Sequence, residues 1–407
     1  MNVIFVEPSF PGYQRQFVRG LAEVGASVIG IGERPPDWLD DDVRGWLTHY
    51  QQITSVVDSD ALEKAVRFVQ TRVWVDRLEA TIEAHILPAA VIRERCGIPG
   101  TSVRTAFLCR DKPSMKEVLR QAGIPCARSI GANEAGAVWD FAREVGYPLI
   151  IKPPDAAGAS GTFRADSDQE LHAVLESVAF EQGATVAVEE FIEGHEGFYD
   201  TVAINGEVGL EFISHYYPNV LEAMRTRWIS PVFITTNRID TSPGYDEVKV
   251  LGRRVLPVLG IGTSATHMEW FFGPKGLKFS EIGCRPPGVG AWDLYCAAND
   301  LDLYQQWAMA ICYGSLSTGP SRNYSAGIIA LRPDRDGSIA GYEGLEEIQR
   351  LYGEWIIDSH FPNPGTPTQP VEAGYMANAW IRARHPDYDA LREMLTRIGE
   401  IARVRAA

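Results

Sequence analysis

The spacing of apolar and polar positions in the first hundred residues predicts strands that alternate with helices. Residues 3–6 and 27–31 are short apolar runs typical of buried strands, and residues 14–24 have the spacing of an amphipathic helix. A further helix is predicted over residues 76–95. Because strands alternating with helices favour a parallel sheet, we predict an α/β, Rossmann-like N-terminal domain over residues 1–105. The loop after the first strand lacks the G-x-G-x-x-G spacing, which disfavours a dinucleotide ligand.

The middle of the chain, residues 106–320, has an α+β pattern with antiparallel hairpins. Ser167 and Glu170 form a capping-box pattern ahead of a helix, and Asn205 with Gly206 predicts a tight hairpin turn. Residues 106–320 are therefore predicted to form a second, central domain.

The last part, residues 321–407, predicts a small α+β C-terminal domain. A loop is predicted at 361–367, a strand at 375–383 and an amphipathic helix at 388–404.

Composition narrows the class of protein. Hydrophobic residues make up 45% and charged residues 22% of the chain, and the net charge is −15. An acidic chain without a basic cluster disfavours nucleic acid as a partner. No apolar run approaches a membrane span and the N-terminus lacks a basic leader, so we expect a cytoplasmic protein without a membrane partner. The six cysteines show no C-x-x-C pair, which disfavours a disulfide framework or structural zinc.

A predicted hairpin brings two carboxylates together. If the turn after residue 272 is centred on Lys275, Glu269 and Glu281 lie directly opposite each other, with Cβ atoms roughly 4.5–5.5 Å apart. Like charges so placed are destabilising unless a cation lies between them, and oxygen ligands suit Mg²⁺. A solvated strand face is the alternative. The pattern also places His267 and Gly283 on the same face as the two glutamates.

Two lysines are candidates for binding phosphate. Lys112 ends a strand-like approach to a helix, and Lys152 ends a predicted strand just before a small-residue loop, residues 155–161. Lysine binds phosphate as a point charge, and glycines let backbone N–H groups approach phosphate oxygens closely. We expect Lys152 to matter more than Lys116, which lies one helical turn past Lys112. Surface lysines are the alternative interpretation.

Residues 186–196 suit a nucleoside. Their strand edge, Glu189 to Ile192, offers alternating backbone donors and acceptors for an adenine ring, and Glu196 offers a carboxylate for ribose hydroxyls. An edge strand guarded by charged residues is the alternative. The segment 213–232 mixes aromatic residues with Arg225 and Arg227, and a substrate lid, a γ-phosphate contact and a packed loop all stay open for it.

Taken together and in order, these motifs resemble the ATP-grasp superfamily over roughly residues 105–320. The residues that carry the resemblance are Asp111-Lys112-Pro113, Ile151-Lys152-Pro153 with its loop, Glu189 to Glu196, His267-Met268-Glu269 and Glu281 to Gly288. The resemblance implies a Rossmann-like domain, a central ATP-grasp domain and a small C-terminal domain, in a biotin-carboxylase-like layout.

The resemblance also implies roles for particular residues. Lys112 and Lys152 hold the phosphates of ATP, beneath a loop that includes Gly158, Ser160 and Gly161. The adenine and ribose contacts are implied for Glu189, Glu190, Phe191, Ile192 and Glu196. Magnesium or manganese is implied at Glu269 and Glu281, and the catalytic group that holds the carboxylate substrate is Arg285. Many members have Asn where this chain has Gly283, so one metal ligand is either missing or replaced by water or by His267.

The implied function is an ADP-forming ligase that joins a carboxylate to an amine through an acyl-phosphate. Its partners are small-molecule acids and amines, most similar to the substrates of amino-acid ligases, and a homodimer stays open. Two alternatives also stay open. One is a biotin-carboxylase-like phosphorylation of bicarbonate, and the other is a regulatory protein that binds ATP without turnover.

Overall fold

The computed structural model describes residues 1–152, 161–178, 180, 183–371 and 374–407. The predicted mixture of α/β and α+β structure is confirmed, and its largest component is an antiparallel sheet of eight strands. None of the helices in the described part of the chain is both long and apolar enough to cross a membrane.

The N-terminal part is a four-stranded parallel sheet in the order β3-β2-β1-β4. Its strands are β1 Asn2–Val6, β2 Ser27–Gly32, β3 Leu47–Gln52 and β4 Arg77–Glu79. Its helices are α1 Gln14–Glu23, α2 Asp41–Trp46, α3 Ser59–Gln70 and α4 Glu83–Cys96, followed by α5 Val103–Leu108. The helix predicted over residues 76–95 is therefore wrong in its first third, because residues 77–79 pair with β1 as a short strand.

A small antiparallel sheet follows, in the order β5-β8-β6-β7. Its strands are β5 Ser129–Ala132, β6 Leu149–Lys152, β7 Phe163–Ala165 and β8 Val186–Glu190. The helices of this part are α6 Lys112–Gln121, α7 Ala135–Val145 and α8 Asp168–Ser177. Helix α8 starts where predicted, because the Ser167 hydroxyl accepts a hydrogen bond from the Glu170 N–H. This sheet has an apolar core of its own, which includes Val138 and Leu149.

The eight-stranded sheet has the order β13-β12-β9-β10-β11-β14-β17-β16. Its strands are β9 His195–Ile204, β10 Glu207–Tyr217, β11 Val232–Thr235, β12 Ser264–Gly273, β13 Gly276–Gly283, β14 Ser325–Leu331, β16 Ile356–His360 and β17 Ala379–His385. A two-stranded sheet pairs β15 Ile339–Glu343 with β18 Arg403–Ala406. The associated helices are α9 Val220–Ala223, α10 Asp246–Leu259, α11 Ala291–Asn299, α12 Leu303–Tyr313, α13 Leu345–Tyr352 and α14 Tyr388–Ile401.

Strands from residues 321–407 thus extend the central sheet. The division into domains at 105 and 320 stays a prediction. The last helix ends at Ile401 rather than at residue 404, because residues 403–406 pair with β15 as a strand. The turn at Asn205 and Gly206 is confirmed, with φ angles of 52° and 88° that match a tight hairpin.

The N-terminal sheet packs directly on the central one. Ile4 and Leu78 share one apolar cluster with Met268 and Phe279. Helix α1 also packs against α12, and a Cβ added to Gly20 would lie only 2.6 Å from the Tyr304 carbonyl oxygen. This close packing places the carboxyl edge of the parallel sheet near the β12–β13 hairpin.

Candidate active site

A cavity of about 410 Å³ lies between the small antiparallel sheet and the β12–β13 hairpin. Nine predicted site residues line it, namely Lys112, Lys152, Glu189, Glu190, Phe191, Ile192, Glu196, Glu269 and Glu281. Gly158 and Ser160 lie outside the described residues. Gly161 is exposed and has a left-handed φ of 67°, and its neighbour Thr162 lines the cavity. Residues 219–222 and Arg225 line the cavity as well, so five separate segments of the chain supply one concave polar site.

Lys112 is placed by the start of helix α6. The Asp111 carboxylate caps this helix by accepting a hydrogen bond from the Ser114 N–H at 2.9 Å, and Pro113 occupies the first turn. The Lys112 ammonium then lies 3.3 Å from Oε2 of Glu281 on β13. The cap formed by Asp111 therefore fixes the start of α6 so that the Lys112 ammonium lies beside the Glu281 carboxylate.

Lys116 and Lys152 bind the same carboxylate. Lys116 Nζ lies 2.7 Å from Oε1 of Glu189, and Lys152 Nζ lies 2.8 Å from Oε2. Burial opposes the charge of Glu189, but the two ammonium groups outweigh it and lower its pKa to about 2. Lys116 is only 1% exposed. The sequence interpretation treated Lys116 as secondary, and the structure instead makes it part of the charged floor of the site.

The predicted pairing of two glutamates is present in the hairpin. Glu269 on β12 lies directly opposite Glu281 on β13, and His267 lies opposite Gly283. The assumed turn is wrong, however, because Gly273 pairs with Gly276 rather than with residue 277. A bulge at Ser280 adds one residue to β13 and restores the pairing of the glutamates.

The two glutamates differ in their surroundings. Burial opposes the charge of Glu281, but Lys112 and Lys152 outweigh it and lower its pKa. The nearest cationic partner of Glu269 is instead His267, whose Nε2 lies 3.7 Å from Oε1. His267 is oriented by Asp200 on β9, which contacts its Nδ1 at 2.7 Å. Asp200 was not predicted, since nothing in its local sequence marks it.

The described residues contain no cluster of three or more His, Cys, Asp or Glu side chains arranged to hold a metal ion. Two carboxylates on one face nevertheless fit Mg²⁺, which usually binds one or two protein carboxylates and takes its other ligands from water and substrate phosphates. The chemistry of the donor set is therefore compatible with the predicted ion.

Glu196 is buried on the strand next to the hairpin. Its Oε2 accepts a hydrogen bond from the Val220 N–H at 2.7 Å, and its own N–H donates to Oδ1 of Asn219 at 3.0 Å. Burial, reinforced by the charge of Glu269, raises the pKa of Glu196 to about 8. The segment at 219–220, which also lines the cavity, thus holds this carboxyl group in place.

The predicted adenine strand supplies a polar wall with one aromatic ring. Glu190 accepts a hydrogen bond from the Lys275 ammonium at 2.6 Å. The guanidinium of Arg164 lies 4.3 Å from the centre of the Phe191 ring, a cation–π contact. Arg164 also lines the cavity and was missed by the sequence interpretation.

The structure separates the two arginines that the sequence left open. Arg225 lines the cavity, whereas Arg227 forms an ion pair with Asp336. Of these two residues, Arg225 is therefore the one placed to meet a ligand.

Arg285 lies near the hairpin end but is held by the N-terminal part of the chain. Its Nε donates to Oε2 of Glu83, the first residue of α4, at 2.7 Å. A Cβ added to Gly283 would lie 3.4 Å from both Arg285 Cγ and Glu83 Oε2. Gly283 therefore lies in van der Waals reach of this ion pair.

A buried thiol contact joins two of the site's segments. Cys109 Sγ lies 2.9 Å from Cys284 Sγ. Cys109 precedes Lys112 by three residues, and Cys284 lies between Glu281 and Arg285. The contact fixes the start of α6 against the end of β13.

Comparison with known proteins bears directly on this site. Residues 111–199 match the family model "Carbamoyl-phosphate synthase L chain, ATP binding domain". The chain is also 25% identical over 316 residues to an L-arginine-specific L-amino acid ligase of Bacillus subtilis, a match that covers 76% of this chain and 75% of that protein.

Solved structures agree on the fold. An L-amino acid ligase from Bacillus licheniformis superposes with a TM-score of 0.78 at 17% identity, covering 100% of this chain and 98% of that one. An N5-carboxyaminoimidazole synthetase from Staphylococcus aureus, solved with ADP, superposes with a TM-score of 0.68 at 15% identity, covering 98% and 96%.

The resemblance inferred from the sequence is confirmed. Residues 111–199 match an ATP-binding domain model, and the relatives and structural neighbours that the chain matches are ATP-dependent ligases.

Proposed function

We propose that the protein is an ATP-dependent carboxylate–amine ligase that forms an amide through an acyl-phosphate and releases ADP and phosphate. The observation that carries the proposal is the single cavity in which Lys112 and Lys152 face the Glu269–Glu281 pair. The likeness to an amino-acid ligase of B. subtilis supports amino acids as the substrate class.

Nucleotide binding is assigned to the cavity walls. Lys112 and Lys152 hold phosphates, since each ammonium lies at the cavity surface beside a carboxylate that a phosphate can replace as its partner. Residues 189–192 line the adenine. Glu196 holds the ribose with its second oxygen, because its Oε2 is occupied by the Val220 N–H.

Gly158, Ser160 and Gly161 are proposed to cover the phosphates. Glu269 and Glu281 are proposed to bind Mg²⁺, or Mn²⁺ in its place. When bound there, the ion neutralises phosphate charge and orients the transferred group.

The reaction has two steps. The carboxylate of the acid first reacts with the γ-phosphate of ATP, and the amine then reacts with the resulting acyl-phosphate. A carboxylate oxygen of the acid attacks the γ-phosphorus, and the bond to the β,γ-bridging oxygen breaks, giving acyl-phosphate and ADP. The amine nitrogen then attacks the acyl carbon, and phosphate leaves with that carboxylate oxygen while the amine loses a proton. Lys112 and Lys152 reduce the repulsion in the first step, and Arg285 stabilises the oxyanion in the second.

The test is a screen for ADP release with ATP, Mg²⁺ and pairs of the proteinogenic amino acids, beginning with L-arginine. The proposal predicts release only when an acid and an amine are both present, with one amide formed per ADP. Release that depends on bicarbonate and biotin would favour the carboxylase alternative. A nucleotide-induced rise in melting temperature without turnover for any pair would favour the binding-protein alternative.

A further inference from the structure

Two of the six cysteines contact each other beside the proposed reaction centre. Cys109 Sγ lies 2.9 Å from Cys284 Sγ, although 175 positions separate the two residues in the chain. All six cysteines are free thiols in this structure. Two thiols so close need only a small movement to form a disulfide, in which the sulfur atoms are about 2.05 Å apart. The pair is therefore a candidate for oxidation to a disulfide.

The position of each cysteine in the fold permits this movement. Cys109 directly follows α5, and its N–H donates to the Thr105 carbonyl at 2.9 Å. Cys284 directly follows β13, and it lies beyond the last pair of the β12–β13 ladder, which is His267 with Gly283. The backbone at Cys284 can therefore shift without loss of a hydrogen bond from that ladder.

The surroundings give the two thiols different reactivity. The hydrogen bond with Cys284 raises the pKa of Cys109, and burial and the charge of Glu83 add to this effect. Cys284 instead interacts with the positive charge of Arg93, and Arg285 follows it in the chain. Cations favour the thiolate, which is the form of cysteine that attacks an oxidant. Cys284 is therefore the thiol that reacts first, and Cys109 is the thiol that completes the disulfide.

Burial of the pair restricts the class of oxidant. Cys109 is 5% exposed and Cys284 is 4% exposed. A molecule the size of hydrogen peroxide can reach such atoms through small fluctuations of the structure, whereas a bulky disulfide such as oxidised glutathione cannot approach the sulfur atom in line. The geometry thus favours a small peroxide.

We propose that Cys109 and Cys284 form a reversible disulfide with hydrogen peroxide as the oxidant, and that this bond slows turnover by displacing Arg285. In the first step the Cys284 sulfur forms a bond to one peroxide oxygen, the O–O bond breaks, and hydroxide leaves and takes up a proton as water. In the second step the Cys109 sulfur attacks the resulting sulfenic acid, the S–O bond breaks, and a second water leaves with the Cys109 proton. Two thiols are oxidised to one disulfide, and one peroxide is reduced to two waters.

The effect on turnover follows from the neighbours of the two cysteines. Arg285 is next to Cys284, and its Nε donates to Oε2 of Glu83 at 2.7 Å. Lys112 follows Cys109 by three residues. A displacement of about 1 Å in a reaction centre can cost about a hundred-fold in rate, so the smaller shift expected here should cost about ten-fold. This consequence rests on the proposed ligase function, whereas formation of the disulfide does not.

The first experiment tests the disulfide itself in the full-length protein. The protein is treated with hydrogen peroxide, its remaining thiols are alkylated, and its peptides are examined by mass spectrometry. We expect the thiol count to fall from six to four, with residues 109 and 284 in one cross-linked pair of peptides. A dithiol reductant should restore the count. Oxidised glutathione at the same concentration should not link the pair.

The second experiment measures turnover with an amino-acid pair that is active in the screen. Peroxide should lower the rate of ADP release about ten-fold, and the dithiol reductant should restore it. Cys109→Ala cannot form the bond and should keep its rate in peroxide, and Cys109→Ser replaces it if alanine lowers the melting temperature. Cys312→Ala, which removes another buried thiol on α12, is the matched control and should respond to peroxide like the wild type.

Absence of a link between residues 109 and 284 after peroxide treatment would overturn the proposal. A complete link without a change in turnover would overturn the proposed control of turnover. Equal loss of rate in peroxide-treated Cys109→Ala and wild-type protein would overturn it as well, because the loss would come from another residue. Absence of ADP release from the reduced wild-type protein with every pair would instead count against the ligase function.

Discussion

Glu269 pairs with Glu281 in the β12–β13 hairpin, although the pairing at the turn, Gly273 with Gly276, would place Ser280 opposite Glu269 in a regular ladder. A bulge at Ser280 adds one residue to β13, and this shift by one residue places Glu281 opposite Glu269. The extra residue therefore brings two like charges together on the face that lines the cavity. Like charges so placed repel each other, and the Lys112 ammonium beside Glu281 and the His267 ring beside Glu269 offset part of that repulsion.

The two glutamates should respond oppositely to loss of charge in the apo protein. Glu281→Gln removes the attraction of Lys112 and should lower stability by about 1 kcal/mol, whereas Glu269→Gln relieves repulsion and should leave it unchanged or higher. Both variants should lose about a hundred-fold or more in ADP release. Melting temperature without Mg²⁺ and turnover with Mg²⁺ are the two measurements. Near-normal turnover in either variant would remove that residue from the metal site.

Lys116 and Lys152 should separate stability from nucleotide binding. Lys116→Met leaves Glu189 buried with a single cation and should destabilise the fold by about 2–3 kcal/mol in urea unfolding. Lys152→Met also leaves Glu189 with a single cation, but because Lys152 lines the cavity whereas Lys116 does not, only this variant should in addition reduce the melting shift caused by ATP with Mg²⁺. Lys275→Met, which removes an exposed partner of Glu190, is the control. If Lys116→Met were as stable as the control, the charged floor would not be structural.

Glu196 predicts a specific dependence of apo stability on pH. Its pKa is raised from 4.5 to about 8, so between these values the folded protein binds more protons than the unfolded chain. The free energy of unfolding of the wild type should therefore fall relative to that of Glu196→Gln as the pH rises from about 5 to 8, and stay level above this range. Urea unfolding of both proteins across the range gives the difference, and a flat difference would contradict the raised pKa.

Glu83 should act as a positioning residue for Arg285. Glu83→Gln keeps a hydrogen-bond acceptor but removes its charge, so we expect the KM for the acid to rise about five- to ten-fold with the KM for ATP unchanged. Glu94→Gln, further along the same helix and exposed, is the control. A fall in kcat alone, with the KM for the acid unchanged, would show that Glu83 does not act through binding of the acid.

Local patterns predicted much of this structure because they depend on neighbours in the chain. The turn at Asn205 and Gly206 and the cap at Ser167 are examples in which a few adjacent residues decide the conformation. The opposition of Glu269 and Glu281 was predicted from a turn that is one residue out of place, and it holds only because the bulge at Ser280 shifts the register back.

The features that sequence missed depend on distant partners. Residues 77–79 form a strand only because β1 offers them a parallel neighbour. The Glu83–Arg285 pair joins residues 202 positions apart, and no local signal marks it. Lys116 had one usable signal, because it lies four residues after Lys112 and so shares its helix face. Its burial against Glu189 depends on tertiary packing.

The most direct test of the proposed chemistry follows the oxygen atoms of the acid. The acid of an active pair is labelled with ¹⁸O in its carboxylate and incubated with ATP, Mg²⁺ and the amine, and the released phosphate is examined by mass spectrometry. Ligation through an acyl-phosphate predicts that each phosphate carries one labelled oxygen from the acid. Unlabelled phosphate accompanying amide formation would contradict the account.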